Sequence, residues 1–178
     1  VGTKAADSIS ALGGNDRVFA LNGADVVTAG EGNDLVVGGR GDDALSGEAG
    51  NDLLFANAGV DVLNGGDGND RLWAVARVDV VAGEGGSVDK VGDTLNGGAG
   101  NDRLHARDGE ADTINCGDGT DVAILDNADV IADATAANAN GSCETVKRAA
   151  PKTRDANAIN ENLQQRLADI LAKMRGNR

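Results

Sequence analysis

Aromatic side chains are nearly absent from this 178-residue chain, which has no Tyr and only Phe19, Phe55 and Trp73. A core built on packed rings is therefore excluded. Histidine is reduced to His105 and proline to Pro151, so no His-based nucleophile–base pair can be assembled and no proline-rich linker is present. With no phosphate-binding glycine loop in a strand–helix context, the chain does not read as an enzyme. No apolar run approaches the ~20 residues that cross a bilayer as a helix. Basic residues are also short, 16 against 29 acidic ones for a formal charge of −13. That balance repels nucleic acid and anionic membrane and leaves cations as the natural partner. The first residue is Val1 rather than Met, as expected of a processed or trimmed chain.

Glycine and aspartate take the place of what is missing. At 40% apolar content the chain is too hydrophobic for a flexible linker, so its 27 glycines serve backbone geometry. Asp outnumbers Glu by 23 to 6, and Asp7, Asp16, Asp25, Asp34, Asp43, Asp52, Asp61, Asp70 and Asp79 fall every nine residues without a miss. Two residues after each comes an apolar side chain: Ile9, Val18, Val27, Val36, Leu45, Leu54, Leu63, Leu72 and Val81, and the pattern resumes at Leu95, Leu104 and Ile114. Glycines cluster ahead of the same Asp, as in Gly38-Gly39-Arg40-Gly41-Asp42-Asp43 and Gly65-Gly66-Asp67-Gly68-Asn69-Asp70. These strings resemble the haemolysin-type (RTX) nonapeptide G-G-x-G-x-D-x-U-x over residues 2–131.

The resemblance implies an all-β solenoid, a parallel β-roll of about seven coils with two nonapeptides in each. It also implies several calcium ions held between turns 18 residues apart, and a secreted, extracellular protein. Each nonapeptide reads as a six-residue turn and a three-residue strand whose middle side chain points inward. Asp side chains of successive coils then stand about 4.8 Å apart, where two unit charges repel by roughly 0.9 kcal/mol in water and about 3.5 kcal/mol at an effective dielectric of 20. A ladder of such charges needs neutralising. A hard cation taking six to eight oxygens suits flexible turns with exposed carbonyls, so calcium fits better than magnesium. An isolated Asp of this kind would instead bond its own turn without metal.

The 18-residue period sorts the turns onto two sides. Side B carries Asp16, Asp34, Asp52 and Asp70, each preceded by Gly-Asn, and side A carries Asp25, Asp43 and Asp61, where the turns before Asp25 and Asp61 lack the paired glycines and only the one before Asp43 is complete. The candidate calcium ligands are these seven with Asp102 and Asp121, together with Gly30, Gly32, Gly39, Gly41, Gly50, Gly66, Gly68, Gly98, Gly100, Gly117 and Gly119. The register breaks after Asp79, where the next member is Asp93 and not residue 88. Either a turn gained five residues or a coil lost four. The loss is preferred, because Thr94-Leu95-Asn96 through Arg103-Leu104-His105 reads like Val62-Leu63-Asn64 through Arg71-Leu72-Trp73 and returns Asp102 and Asp121 to side B. His105 then falls in the outward position that Trp73 holds two coils earlier, as a surface residue.

Side B strands such as Leu53-Leu54-Phe55 are apolar on their outer face, whereas side A shows Ser, Thr and Asn there. One sheet is therefore expected to be covered. Residues 1–150 read as the roll and 151–178 as a C-terminal amphipathic helix over 156–175, with Ile159, Leu163, Leu167, Ile170, Leu171 and Met174 in one stripe. Self-association through the same apolar face is the alternative. Cys116 and Cys143 flank the last repeat and pair as a disulfide or remain two buried thiols. The function expected is a calcium-binding structural, folding or adhesion module. The alternative is an ice- or surface-binding solenoid that uses regular outward Asn and Ser/Thr rows.

Overall fold

A computed structural model describes residues 1–74 and 92–149. The chain is an all-β parallel solenoid with strands β1 (Ser8–Ser10), β2 (Arg17–Asn22), β3 (Val26–Glu31), β4 (Leu35–Arg40), β5 (Ala44–Ala49), β6 (Leu53–Ala58) and β7 (Val62–Asp67). It continues through β8 (Arg71–Trp73), β9 (Thr94–Gly100), β10 (Arg103–Ala106), β11 (Thr113–Gly119), β12 (Val122–Leu125), β13 (Val130–Ile131) and β14 (Thr145–Arg148). Odd strands form one seven-stranded sheet and even strands the other. These are the expected sides A and B, and they amount to about six complete turns where about seven coils were expected.

The period-nine apolar residue builds the core, as alternation requires. Val18, Val36, Leu54, Leu72 and Leu104 of sheet B are buried against Val27, Leu45, Leu63, Leu95 and Ile114 of sheet A. A second inward row is made of small side chains, among them Ala20, Ala29, Ala56 and Ala106, which lets the two sheets close on each other at the turn.

Strands β2 to β7 are six residues long, and β9 and β11 seven, where three were expected. The reason lies in the turns, which stack coil on coil and extend the backbone ladder, as in Gly32 N–H to Ala49 O at 2.8 Å and Gly50 N–H to Asp67 O at 2.8 Å. Gly50 must be glycine twice over: its φ is +139°, and a Cβ there would collide with the carbonyl oxygen of Gly32 one coil back.

The register break is also resolved differently. Val62 pairs with Thr94 and Arg71 with Arg103, so β7 and β8 lie directly beside β9 and β10. Asp61 is followed in its ladder by Asp93 and Asp70 by Asp102, in each case 32 residues on rather than 18. No coil stands between them, so the preferred loss of four residues from a coil is not what happens. Asp79 and the path of 83–91 lie outside the described residues. His105 is therefore one coil from Trp73 and not two, and it is half-buried, with the two rings parallel to within 4°.

On the outer face of sheet B, Phe19, Val37 and Phe55 are buried and Leu21, Leu35, Leu53 and Trp73 partly so. The described residues contain no helix. The helix expected over 156–175 lies outside them.

The C-terminal end is closed by a small cap. A disulfide joins Cys116, in the inward position held by Gly97 one coil earlier, to Cys143. The pairing therefore takes the first of the two alternatives. Ser142 Oγ accepts the Cys116 N–H at 3.0 Å, and β14 closes sheet B against β12.

Candidate metal centres

The two Asp ladders form because each strand begins at the same point of each coil, immediately after the turn. On side B, Asp16 N–H donates to Asp34 Oδ1, Asp34 to Asp52, Asp52 to Asp70, Asp70 to Asp102 and Asp102 to Asp121, all at 2.7–2.8 Å. On side A the run is Asp7, Asp25, Asp43, Asp61, Asp93, Asp112 and Asp129, at 2.7–3.3 Å. Every sequence-predicted Asp ligand is on one of these ladders. Beside ladder B runs a second one of opposite sense, in which Asn33 N–H donates back to Asn15 Oδ1, Asn51 to Asn33, Asn69 to Asn51, Asn101 to Asn69 and Thr120 to Asn101.

From the second rung on, each ladder Asp thus spends one oxygen on the preceding coil. The other, Oδ2, is buried without a hydrogen-bond partner in Asp16, Asp25, Asp34, Asp43, Asp52, Asp70, Asp102, Asp112 and Asp121. An orphaned buried carboxylate oxygen is costly, and a row of them calls for a cation. Burial is the first cause that pushes these carboxyls up, opposed by the backbone N–H and reinforced by neighbouring acidic groups. Asp43 and Asp102 rise to about 6, Asp70 to about 7 and Asp93 to about 9, and Asp52 and Asp121 are also raised.

The oxygens point into a defined space. At Gly47 the position a Cβ would take is crowded by Asp52 Oδ2 and the Gly65 carbonyl oxygen. The same pairing recurs at Gly38 (Asp43 Oδ2, Ala56 O), Gly65 (Asp70 Oδ2, Gly97 O) and Gly97 (Asp102 Oδ2, Cys116 O). Carboxylate and carbonyl oxygens converging where no side chain fits are the donor set of a hard cation, so the residues suit calcium. At the corresponding Ala20, Ala29, Ala56 and Ala106 a methyl group joins the core instead.

All eleven glycines picked out from the sequence have φ between +97° and +146° and form the turns between the ladders and the strands. Sequence reasoning passed over Gly38, Gly47, Gly65 and Gly97, although each opens a G-x-x-G-x-D string. It also passed over Asp93, Asp112 and Asp129, whose signal was an apolar residue two positions on. Glu144 was missed as well. It ends ladder B by accepting the Asp121 N–H at 2.6 Å, and being Glu in no repeat it carried no periodic signal.

A parallel solenoid with stacked turn carboxylates is the architecture of a repeat-built cation-binding module. The family model of the RTX calcium-binding nonapeptide repeat, in four copies, matches residues 1–36, 37–72 and 92–123. The chain belongs to that family. The unmatched interval falls where the ladders step over 75–91. No curated protein and no solved structure matches the chain significantly.

Proposed function

We propose that the chain is a secreted calcium-binding structural module whose roll folds as ions load between turns one coil apart. The observation that carries this is the row of buried Oδ2 atoms without partners. The side chains of Asp16, Asp34, Asp52, Asp70, Asp102 and Asp121, and of Asp25, Asp43 and Asp61 on side A, would hold the ions with carbonyls of the flanking glycine turns. The ion supplies charge neutralisation and crosslinks neighbouring coils; the glycines keep the space open. Extracellular modules of this type bind at roughly 10⁻⁴–10⁻³ M. The role is binding and structure, with folding or adhesion as its use, and not catalysis.

Circular dichroism of calcium-stripped protein at neutral pH should show a largely disordered chain that gains a β spectrum on adding millimolar calcium. A full β spectrum without divalent ions would overturn the reading. Asp52→Ala should weaken binding in the two turns it joins, since Asp52 accepts from Asp34 and donates to Asp70.

The ice-binding alternative is not adopted. The outer row of sheet A reads Ser10, Thr28, Ser46, Asn64, Asn96 and Asn115, uneven in size, and Asn96 Nδ2 is spent on Asn64 Oδ1 at 2.8 Å.

Residues 151–178 are proposed as the cover of sheet B. Support comes from their apolar stripe, from β14, which brings the chain to the end of that sheet, and from length. A 20-residue helix spans ~30 Å and six strand spacings about 29 Å.

A further inference from the structure

We propose a second kind of calcium site, outside the nonapeptide pattern, formed by the carboxylates of Asp108, Glu110 and Asp112 at the C-terminal end of side A. The turn Ala106-Arg107-Asp108-Gly109-Glu110-Ala111-Asp112 breaks the repeat in two ways. It is one residue longer, since Asp93 and Asp112 are 19 apart, and it has acidic side chains where other turns have glycine carbonyls.

The three carboxylates each place an oxygen within 4.8 Å of the others. Two ligands of one calcium, bound at about 2.4 Å, can stand no more than about 4.8 Å apart, so the spacing is compatible with a common ion. Asp112 adds an independent observation. It is fully buried; its Oδ1 takes the Asp93 N–H at 2.7 Å, and its Oδ2 is enclosed without a hydrogen-bond partner.

The following turn holds this one in place. Asp126 Oδ2 accepts the Gly109 N–H at 2.8 Å and Asp129 Oδ1 the Asp112 N–H at 3.3 Å, which sets two more carboxylates behind the first three. Arg148 of β14 directs its guanidinium to the carbonyl oxygens of Asp126 and Asp129 at 2.8 and 3.1 Å. Burial first, and then Asp108, pushes the Asp112 carboxyl well above the usual range.

All donors are oxygen, which selects a hard cation over zinc or copper. Ligand charge count tunes calcium affinity, and three side-chain carboxylates exceed what a repeat turn offers. This site therefore loads before the repeat sites, at the capped end of the roll.

Calorimetric calcium titration of the full chain tests the assignment, with Asp108→Asn/Glu110→Gln as the variant and Glu110→Gln alone as the milder one. The wild type should show one step at least ten-fold tighter than the rest. The double variant should lose that step and keep the weaker ones, with an unchanged circular dichroism spectrum at saturating calcium. Glu110→Gln, at a half-exposed side chain, should weaken the tight step without touching the fold. A wild type that binds one calcium and a double variant that binds none would remove the repeat reading and still support this site. A wild type without a distinct tight step, or a double variant that retains it, overturns the proposal.

Discussion

Trp73 and His105, 32 residues apart in the chain, stack with ring centroids 3.6 Å from each other. Their contact follows from the pairing of β8 with β10, and Phe55 extends the stack on the other side at 6.1 Å. Partial burial first, and then the charges of Arg103 and Arg71, lower the imidazole pKa to about 4.

A direct consequence is a displaced histidine titration. In the calcium-saturated protein the single histidine, followed by its ring proton shifts in NMR, should titrate near pH 4 instead of the usual 6.5. Because the folded-state value is the lower one, its contribution to stability is complete above pH 6.5 and is lost as pH falls through about 4. A midpoint at 6.5 would mean that the stack does not form.

Protons should replace calcium in part. Asp70 and Asp93 have folded-state values raised to about 7 and about 9, so in calcium-stripped protein they favour the fold fully below their unfolded value near 4. That contribution is lost as pH rises through 7 and 9. Stripped protein should thus hold more β structure at pH 5 than at pH 8. With calcium present the trend reverses, because protons compete for the same oxygens and binding releases them. Thermal melts at both pH values, with and without the ion, would read the crossing directly.

The Cys116–Cys143 disulfide joins residues 27 apart in the chain. A crosslink of that span stabilises by about 3–4 kcal/mol in the chain-entropy model. Reduction should lower the melting temperature of the calcium-loaded protein by on the order of 10 °C. An unchanged melt after complete reduction would assign the cap's stability to its hydrogen bonds alone.

Removing residues 152–178 should leave calcium binding intact and expose Phe19, Val37 and Phe55, which are now buried. Each large side chain uncovered costs about 1.5–3 kcal/mol. The truncated chain should bind more hydrophobic dye, self-associate on a sizing column and show red-shifted Trp73 emission. A monomer with none of these changes would show that the segment does not cover sheet B.

The coil was legible because the nine-residue pattern reports on both the charge and the inward side chain. Asp16 with Val18 and Asp52 with Leu54 placed the ladders and core rows, and the likeness of 94–105 to 62–73 put Asp102 and Asp121 on the correct side. Asp79 with Val81 obeyed the same rule, and nothing in the residues told that the ladders would pass from Asp61 to Asp93. Side-chain patterns also say nothing of backbone pairing, which is why the strands run on through Gly30-Glu31 and Gly39-Arg40. Glu144 lay beyond reach for another reason: its longer arm takes an Asp position that only the folded cap brings into line.

The opposed ladders of Asp and Asn make the roll a directional material. The Asp rungs hand their N–H groups toward the C-terminus and the Asn rungs toward the N-terminus, so each coil is fastened to both neighbours by bonds of opposite sense. Under tension between the chain ends these fastenings are loaded in series, and a terminal coil can detach while the next stays intact. Each 18-residue coil so released frees about 60 Å of chain. The molecule would lengthen coil by coil under force, with a longer step where 32 residues separate successive rungs, instead of giving way at once.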